Sequence, residues 1–187
     1  MKRYVIIAGV NGAGKSTFYS SENAFCDIKK INLDETVRSI GDWKNPADVA
    51  RAAKMVLARI EEYFSSGTSF SQETTLCGKA ILNNIRRAKS LGYRVEVYYV
   101  GLDSADTAIK RVQFRVRRGG HGIPDSDIER RYLESLRNLQ TILPDCDLVS
   151  IYDNTHFFRR FAIFKCGKCV FLSENVPEWY DNSKIGR

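Results

Sequence analysis

Apolar positions fall into two periods along the chain. The run YVIIA (4–8), closed by Gly9, has the length and β-rich make-up of a buried parallel strand. A helix is expected from Lys15 onward, and IKKINL (28–33) reads as a weaker second strand. Over 47–64, Val49, Ala53, Val56, Leu57, Ile60 and Phe64 recur at helical spacing. Pro46 stands where proline suits a first turn, and Gly67 stops the helix. TSFSQETT (68–75) alternates as a strand does, 80–91 is helical up to Gly92, and YRVEVYYV (93–100) is the strongest strand. Ser104 caps a helix to about Val116, which Gly119, Gly120 and Gly122 break. Pro124 and Asp125 open another helix, to about Leu143. DLVSIYD (147–153) is a last core strand, and FFRRFAIFKCGKCVFLSENV predicts two strands joined at 166–169.

Strands alternating with helices about five times indicate an α/β layered fold with a mostly parallel sheet. Ligands of such sheets bind beyond the carboxyl ends of the strands. The 187 residues carry no repeat and no linker-like boundary, so one domain over 1–187 is expected. A 43% apolar and 27% charged composition excludes a disordered or collagen-like chain. No run approaches ~18 apolar residues, and 4–8 is too short for a signal-peptide core, so a cytoplasmic protein without a membrane span is expected.

Five cysteines (Cys26, Cys77, Cys146, Cys166 and Cys169) are an odd, scattered set, as reduced thiols would be. Cys166 and Cys169 have the spacing of half a zinc site, but no second pair accompanies them, and Gly167 between them suits a hairpin turn. The net charge is +7. Within 110–131, Lys110, Arg111, Arg115, Arg117, Arg118, Arg130 and Arg131 face only Asp125, Asp127 and Glu129. Such a block suits polyanions, either nucleotide phosphates or nucleic acid.

Residues 9–16, GVNGAGKS, match GxxxxGK[ST] at every fixed position, with a strand before and a helix after. Glycines there let backbone N–H groups curl around phosphate oxygens, and the helix N-terminus adds partial positive charge. Gly9, Asn11, Gly12, Ala13, Gly14, Lys15, Ser16 and Thr17 are therefore expected to hold ATP, with Lys15 at the terminal phosphates and Ser16 on Mg²⁺. No guanine-reading NKxD and no LSGGQ signature occurs, which disfavours a GTPase switch and a transporter ATPase.

Asp34 follows the apolar end of the second strand, where a carboxylate can take a proton from an attacking hydroxyl or order a metal-bound water. The plainer role is a helix N-cap, and both can hold. Gln72-Glu73-Thr74-Thr75 ends the third strand with more polarity than a buried strand end tolerates without partners. Glu73 suits orientation of substrate or Mg²⁺, and Thr74 or Thr75 a substrate hydrogen bond. Arg111, Arg115 and Arg118 stand at i, i+4 and i+7 ahead of the glycine-rich 119–122, with Arg130 and Arg131 on the returning helix. Arginines on a closing lid over about 111–131 would exclude water and offset charge on a transferring phosphoryl group. His121 can touch phosphate or cap the turn.

Taken in order, AGVNGAGKST, Asn32-Leu33-Asp34, Glu73-Thr74-Thr75-Leu76 and RGGHGIPDSDIERRYLESLRNL resemble the zeta-toxin family of P-loop kinases, above all its short stand-alone bacterial members. The resemblance covers about 4–155, and Tyr152-Asp153-Asn154 is similar too. It implies a three-layer fold like that of shikimate and nucleotide kinases, with a helical lid and here a small C-terminal hairpin and tail over about 157–187. It implies transfer of the ATP γ-phosphate to the 3′-hydroxyl of UDP-N-acetylglucosamine, and an antitoxin as possible protein partner. Asp34 then matches the general base, Glu73 and Thr75 the sugar-nucleotide contacts, and Arg118 with Arg130 or Arg131 the catalytic lid arginines; Arg115 and His121 would lie on the substrate. The chain lacks room for the extra substrate-binding helices of larger zeta toxins, which leaves the acceptor open. A polynucleotide kinase or nucleic-acid-dependent ATPase, and an ATP-responsive binding switch, are the alternatives. Phe157, Phe158, Arg159 and Arg160 follow Asn154 where such kinases hold adenine; an arginine stacked on the base is one expectation, and aromatic core packing is the plainer one. Trp179 and Tyr180 are open between docking on the domain and contacting a partner.

Overall fold

The computed structural model describes residues 1–21, 25, 27–183 and 185–186. Cys26 lies outside the described residues. Seven strands form one sheet: β1 (Arg3–Ala8), β2 (Lys29–Ile31), β3 (Phe70–Thr74), β4 (Arg94–Gly101), β5 (Leu148–Asp153), β6 (Arg159–Lys165) and β7 (Lys168–Leu172). Their order is β2-β3-β1-β4-β5-β6-β7. The first five are mutually parallel, and β6 and β7 run antiparallel at one edge.

Both faces of the parallel strands are covered, as continuous apolar runs require. On β1, Tyr4, Ile6 and Ala8 point into one core, while Val5 and Ile7 point into the other. The first core receives Ile60 and Phe64 of α3 (Pro46–Ser66), Ile81 and Ile85 of α4 (Lys79–Ser90), and Leu139 and Ile142 of α6 (Asp125–Ile142). The second receives Phe18 of α1 (Lys15–Ser21), Ala108 and Val112 of α5 (Ala105–Arg117), and Ile128. Helix, sheet and helix make three layers.

Several local expectations need correction. The second strand stops at Ile31, because Asn32 caps a helix, α2 (Leu33–Ile40), by accepting the Glu35 N–H at 3.2 Å. The N-cap is thus Asn32 rather than Asp34. Helix α3 begins at Pro46 behind the cap Asn45 and ends on Gly67 at φ 67°. Its apolar stripe is narrower than the spacing implied: Leu57 is 55% exposed, and Ala52 is buried instead. The last two strands extend the main sheet, joined through Cys166 and Gly167 at φ 49° and 77°, the left-handed pair of a tight hairpin. The tail docks on the domain. Helix α7 (Glu178–Ser183) buries Trp179 and Tyr180 in the first core, and the Trp179 Nε1–H donates to Asp153 Oδ1 at 3.0 Å. No described helix is long and apolar enough to cross a membrane.

Candidate active site

β1 ends at Ala8, and the chain turns through residues 9–14 into α1 at the carboxyl end of the sheet. The turn needs glycine twice over. Gly12 and Gly14 have φ of +81° and +95°, and a Cβ on them would lie 2.8 Å from Ala108 O and 2.6 Å from Asn154 Nδ2. Asn154, after β5, buttresses the loop: its side-chain N–H donates to Ala13 O at 2.8 Å. Arg111 holds that support in place through Nη2, which donates to Asn154 O at 2.8 Å and Thr155 O at 2.9 Å.

Lys15 is buried, and its ammonium donates to Val10 O at 3.2 Å with Glu73 4.0 Å away. Burial pulls its pKa below the ordinary lysine value, and the carboxylates of Glu73 and Asp34 oppose that pull. Glu73, from the end of β3, accepts from Ser16 Oγ at 3.0 Å and from Asn32 Nδ2 at 2.6 Å. Asp34 stands in the first turn of α2, where the helix dipole favours a carboxylate. Thr74 Oγ1 accepts the Leu76 N–H at 3.0 Å, which steadies a turn with Leu76 at φ 60°.

Two cavities meet here. The smaller, about 260 Å³, is lined by the loop, by Ser16 and Thr17, and by Arg111 and Arg115. The larger, about 660 Å³, runs between β3, α2, α3 and the lid, with Thr74, Thr75, Cys77, Arg130 and Arg131 on its wall. Asn11, Lys15, Asp34 and Glu73 line both. Burial raises the pKa of the Cys77 thiol.

The lid arginines divide. Arg115 lines the smaller cavity, and its Nη2 is buried without a hydrogen-bond partner among the described residues. Arg131 reaches the phosphate loop, donating to Asn11 Oδ1 at 3.1 Å. Arg130 stays on its own helix, held by Asp127 at 2.8 Å and Glu134 at 3.1 Å. Arg118 lines neither cavity. Arg118 is the C-cap of α5, and its guanidinium lies 4.4 Å from the centroid of the exposed Phe114 ring one turn back. His121 lines the larger cavity and stacks on Trp43, with ring centroids 3.9 Å apart. Its pKa is lowered by burial, Asp34 acting against this and Arg115 and Arg131 with it.

Sequence reasoning passed over Trp43, Gln72 and Cys77 as cavity residues. For Trp43 the signal was a tryptophan in the polar, turn-rich GDWKNP, and for Gln72 its place in the polar end of the third strand. Beyond Asn154, Phe158 lies beside Gly14 and packs 5.8 Å from Phe18, Phe157 is exposed, and Arg159 donates to Asn175 O.

These residues fit a nucleoside triphosphate with Mg²⁺. The cradle has no space for a Cβ, Lys15 closes it, and Arg115, which lines the smaller cavity, carries a buried Nη2 without a hydrogen-bond partner among the described residues. Ser16 and Glu73 together offer hard oxygen ligands.

No family model matches the chain. An uncharacterized protein of Haemophilus influenzae is 29% identical over 130 residues, which are 68% of this chain and 91% of that protein. The AvrRxo1-ORF1:AvrRxo1-ORF2 structure with sulphate ions superposes with a TM-score of 0.72 at 15% identity, over all of this chain and 65% of that one. The same complex with ATP gives 0.69. The PezAT toxin–antitoxin system of Streptococcus pneumoniae gives 0.61 at 16% identity, over 82% of this chain and 68% of that one. The chain thus spans slightly less than two thirds of the AvrRxo1 chain it matches. At such identities the likeness is one of fold, the three-layer α/β arrangement with a glycine loop after its first strand.

Proposed function

We propose that the protein is an ATP-dependent kinase that moves the γ-phosphoryl group to a hydroxyl of a small acceptor. The acceptor class favoured by the zeta-toxin resemblance is a UDP-N-acetylhexosamine. One observation carries this reading: the wall between the two cavities is made of Asn11, Lys15, Asp34 and Glu73. A donor phosphate in the smaller cavity and a hydroxyl in the larger one would meet across a lysine and a carboxylate, the pair that such a transfer needs.

The phosphate loop, Lys15 and Arg115 would bind the triphosphate. Ser16 and Glu73 would hold Mg²⁺, which when bound supplies positive charge to the phosphate oxygens. Asp34 accepts the proton as the acceptor oxygen forms its bond to phosphorus and the bond to ADP breaks. Lys15 and Arg131 offset charge at the transferring group, and the lid excludes water. The fold neighbours that are two-protein complexes support a further proposal, that a partner protein restrains the enzyme as an antitoxin would.

The test is incubation with γ-labelled ATP and UDP-N-acetylhexosamines, nucleosides and oligonucleotides, followed by mass analysis. Phosphate on a small hydroxyl compound is expected; label only on oligonucleotides would make the protein a polynucleotide kinase, and ATP binding with no transfer a binding switch. Asp34→Asn is expected to cut transfer by about 10²–10⁴-fold while ATP binding stays nearly intact.

A further inference from the structure

Trp43 lies in the segment between α2 and α3 and lines only the larger cavity, never the phosphate cavity. Its ring stacks on His121 of the lid loop with an interplanar angle of 21°. The two rings come from separate segments, 78 positions apart in the chain, and join them beside the acceptor space. The lid loop is tied once more, on its other side: Arg115 Nε donates to His121 O at 3.0 Å. Arg115 also lines the phosphate cavity and carries the buried Nη2 that has no partner among the described residues. Gly120 completes the arrangement, since a Cβ there would lie 2.5 Å from Arg115 Cγ.

A chain of contacts therefore runs from the Trp43 ring to the His121 ring and through the His121 carbonyl to Arg115, a residue that lines the phosphate cavity. We propose that Trp43 is a positioning residue: by holding His121 it holds Arg115 towards the phosphates, which couples the acceptor cavity to the nucleotide cavity. A phosphate on Arg115 satisfies a buried donor that is otherwise costly to leave unpaired, and so favours the stacked lid. By linkage the stacked lid then tightens phosphate binding by the same factor. Without the stack, a loop carrying Gly119 in open space is freer, and ordering Arg115 becomes a cost of binding. The inference rests on the smaller cavity being the phosphate site, but not on phosphoryl transfer.

The test is calorimetric titration of a non-hydrolysable ATP analogue with Mg²⁺ into wild type, Trp43→Ala, Trp43→Phe, Arg115→Met and the Trp43→Ala/Arg115→Met double variant. Trp43→Ala is expected to weaken binding about fivefold or more, with Trp43→Phe restoring most of it. In the Arg115→Met background, Trp43→Ala is expected to change affinity less than about twofold, because the link is already cut. Wild-type affinity in Trp43→Ala, or losses that simply multiply in the double variant, would overturn the coupling while leaving the kinase reading standing. A wild type that fails to bind the analogue would overturn both. Should Trp43→Ala not fold by circular dichroism, His121→Ala removes the other ring of the stack, with the same outcomes.

Discussion

Two loops of this protein each carry three glycines beside basic residues, and they use them in opposite ways. In the phosphate loop, hypothetical Cβ atoms on Gly9, Gly12 and Gly14 would lie 2.2, 2.8 and 2.6 Å from Val100 O, Ala108 O and Asn154 Nδ2. Those glycines exist because the rest of the protein presses against them. In the lid, Gly119 has nothing within 4 Å, and Gly120 meets mainly the long Arg115 side chain. The first loop is a packed cradle whose shape precedes its ligand. The second is a hinge whose shape depends on a few side-chain contacts, the Trp43–His121 stack above all. Gly9 and Gly12 face backbone carbonyls and Gly14 an Asn154 side chain held by its hydrogen bond to Ala13 O, whereas Gly120 faces a long flexible side chain, so the same residue type gives rigidity in one place and freedom in the other.

Substitutions can break this contrast. Gly9→Ala should be the most damaging, at about 3 kcal/mol of unfolding free energy in urea melts, since its Cβ meets a neighbouring strand carbonyl. Gly14→Ala combines a left-handed φ with contact on Asn154 and should cost about 2 kcal/mol and most nucleotide affinity, read by denaturation and calorimetry. Gly119→Ala has the left-handed φ alone and should cost only about 1 kcal/mol with the cradle intact. Equal losses at Gly14 and Gly119 would erase the distinction.

The smallest effect concerns pH. Burial holds His121 below its ordinary pKa, so on acidification the unfolded chain takes up this proton before the folded one. Stability from the neutral ring is then complete above about pH 6.5 and declines below it. Melting temperatures of wild type and His121→Gln at pH 7.5 and 5.5 check this: wild type should lose more on acidification than the variant.

Legibility followed distance along the chain. β1, the glycine loop and the Asn45–Pro46 start of α3 depend on neighbours a few residues away, and their residue types announce them. Glu73 was readable as a candidate because it stands near a strand end, and Asp34 because it follows one closely; the carboxyl ends of strands are where such sheets hold ligands. Arg118 was a candidate on spacing alone, and spacing does not reveal that its guanidinium lies over the Phe114 ring. Trp43 was missed because an aromatic side chain in a turn has no period to betray it. Its partner His121 is chosen by how two loops approach each other, and propensities do not encode that.

By itself the amino-acid order determined which segments bury their side chains and where the backbone must take left-handed conformations, because hydrophobic period and glycine sterics act locally. Only the tertiary structure decided that Asp34 and Glu73 stand between two cavities with Arg115 on one and Arg131 on the other, that Trp179 docks on the domain, and that the Arg118 side chain lies over Phe114. The first two outcomes depend on parallel crossovers and helix packing, which bring distant residues together through forces that carry no local signature.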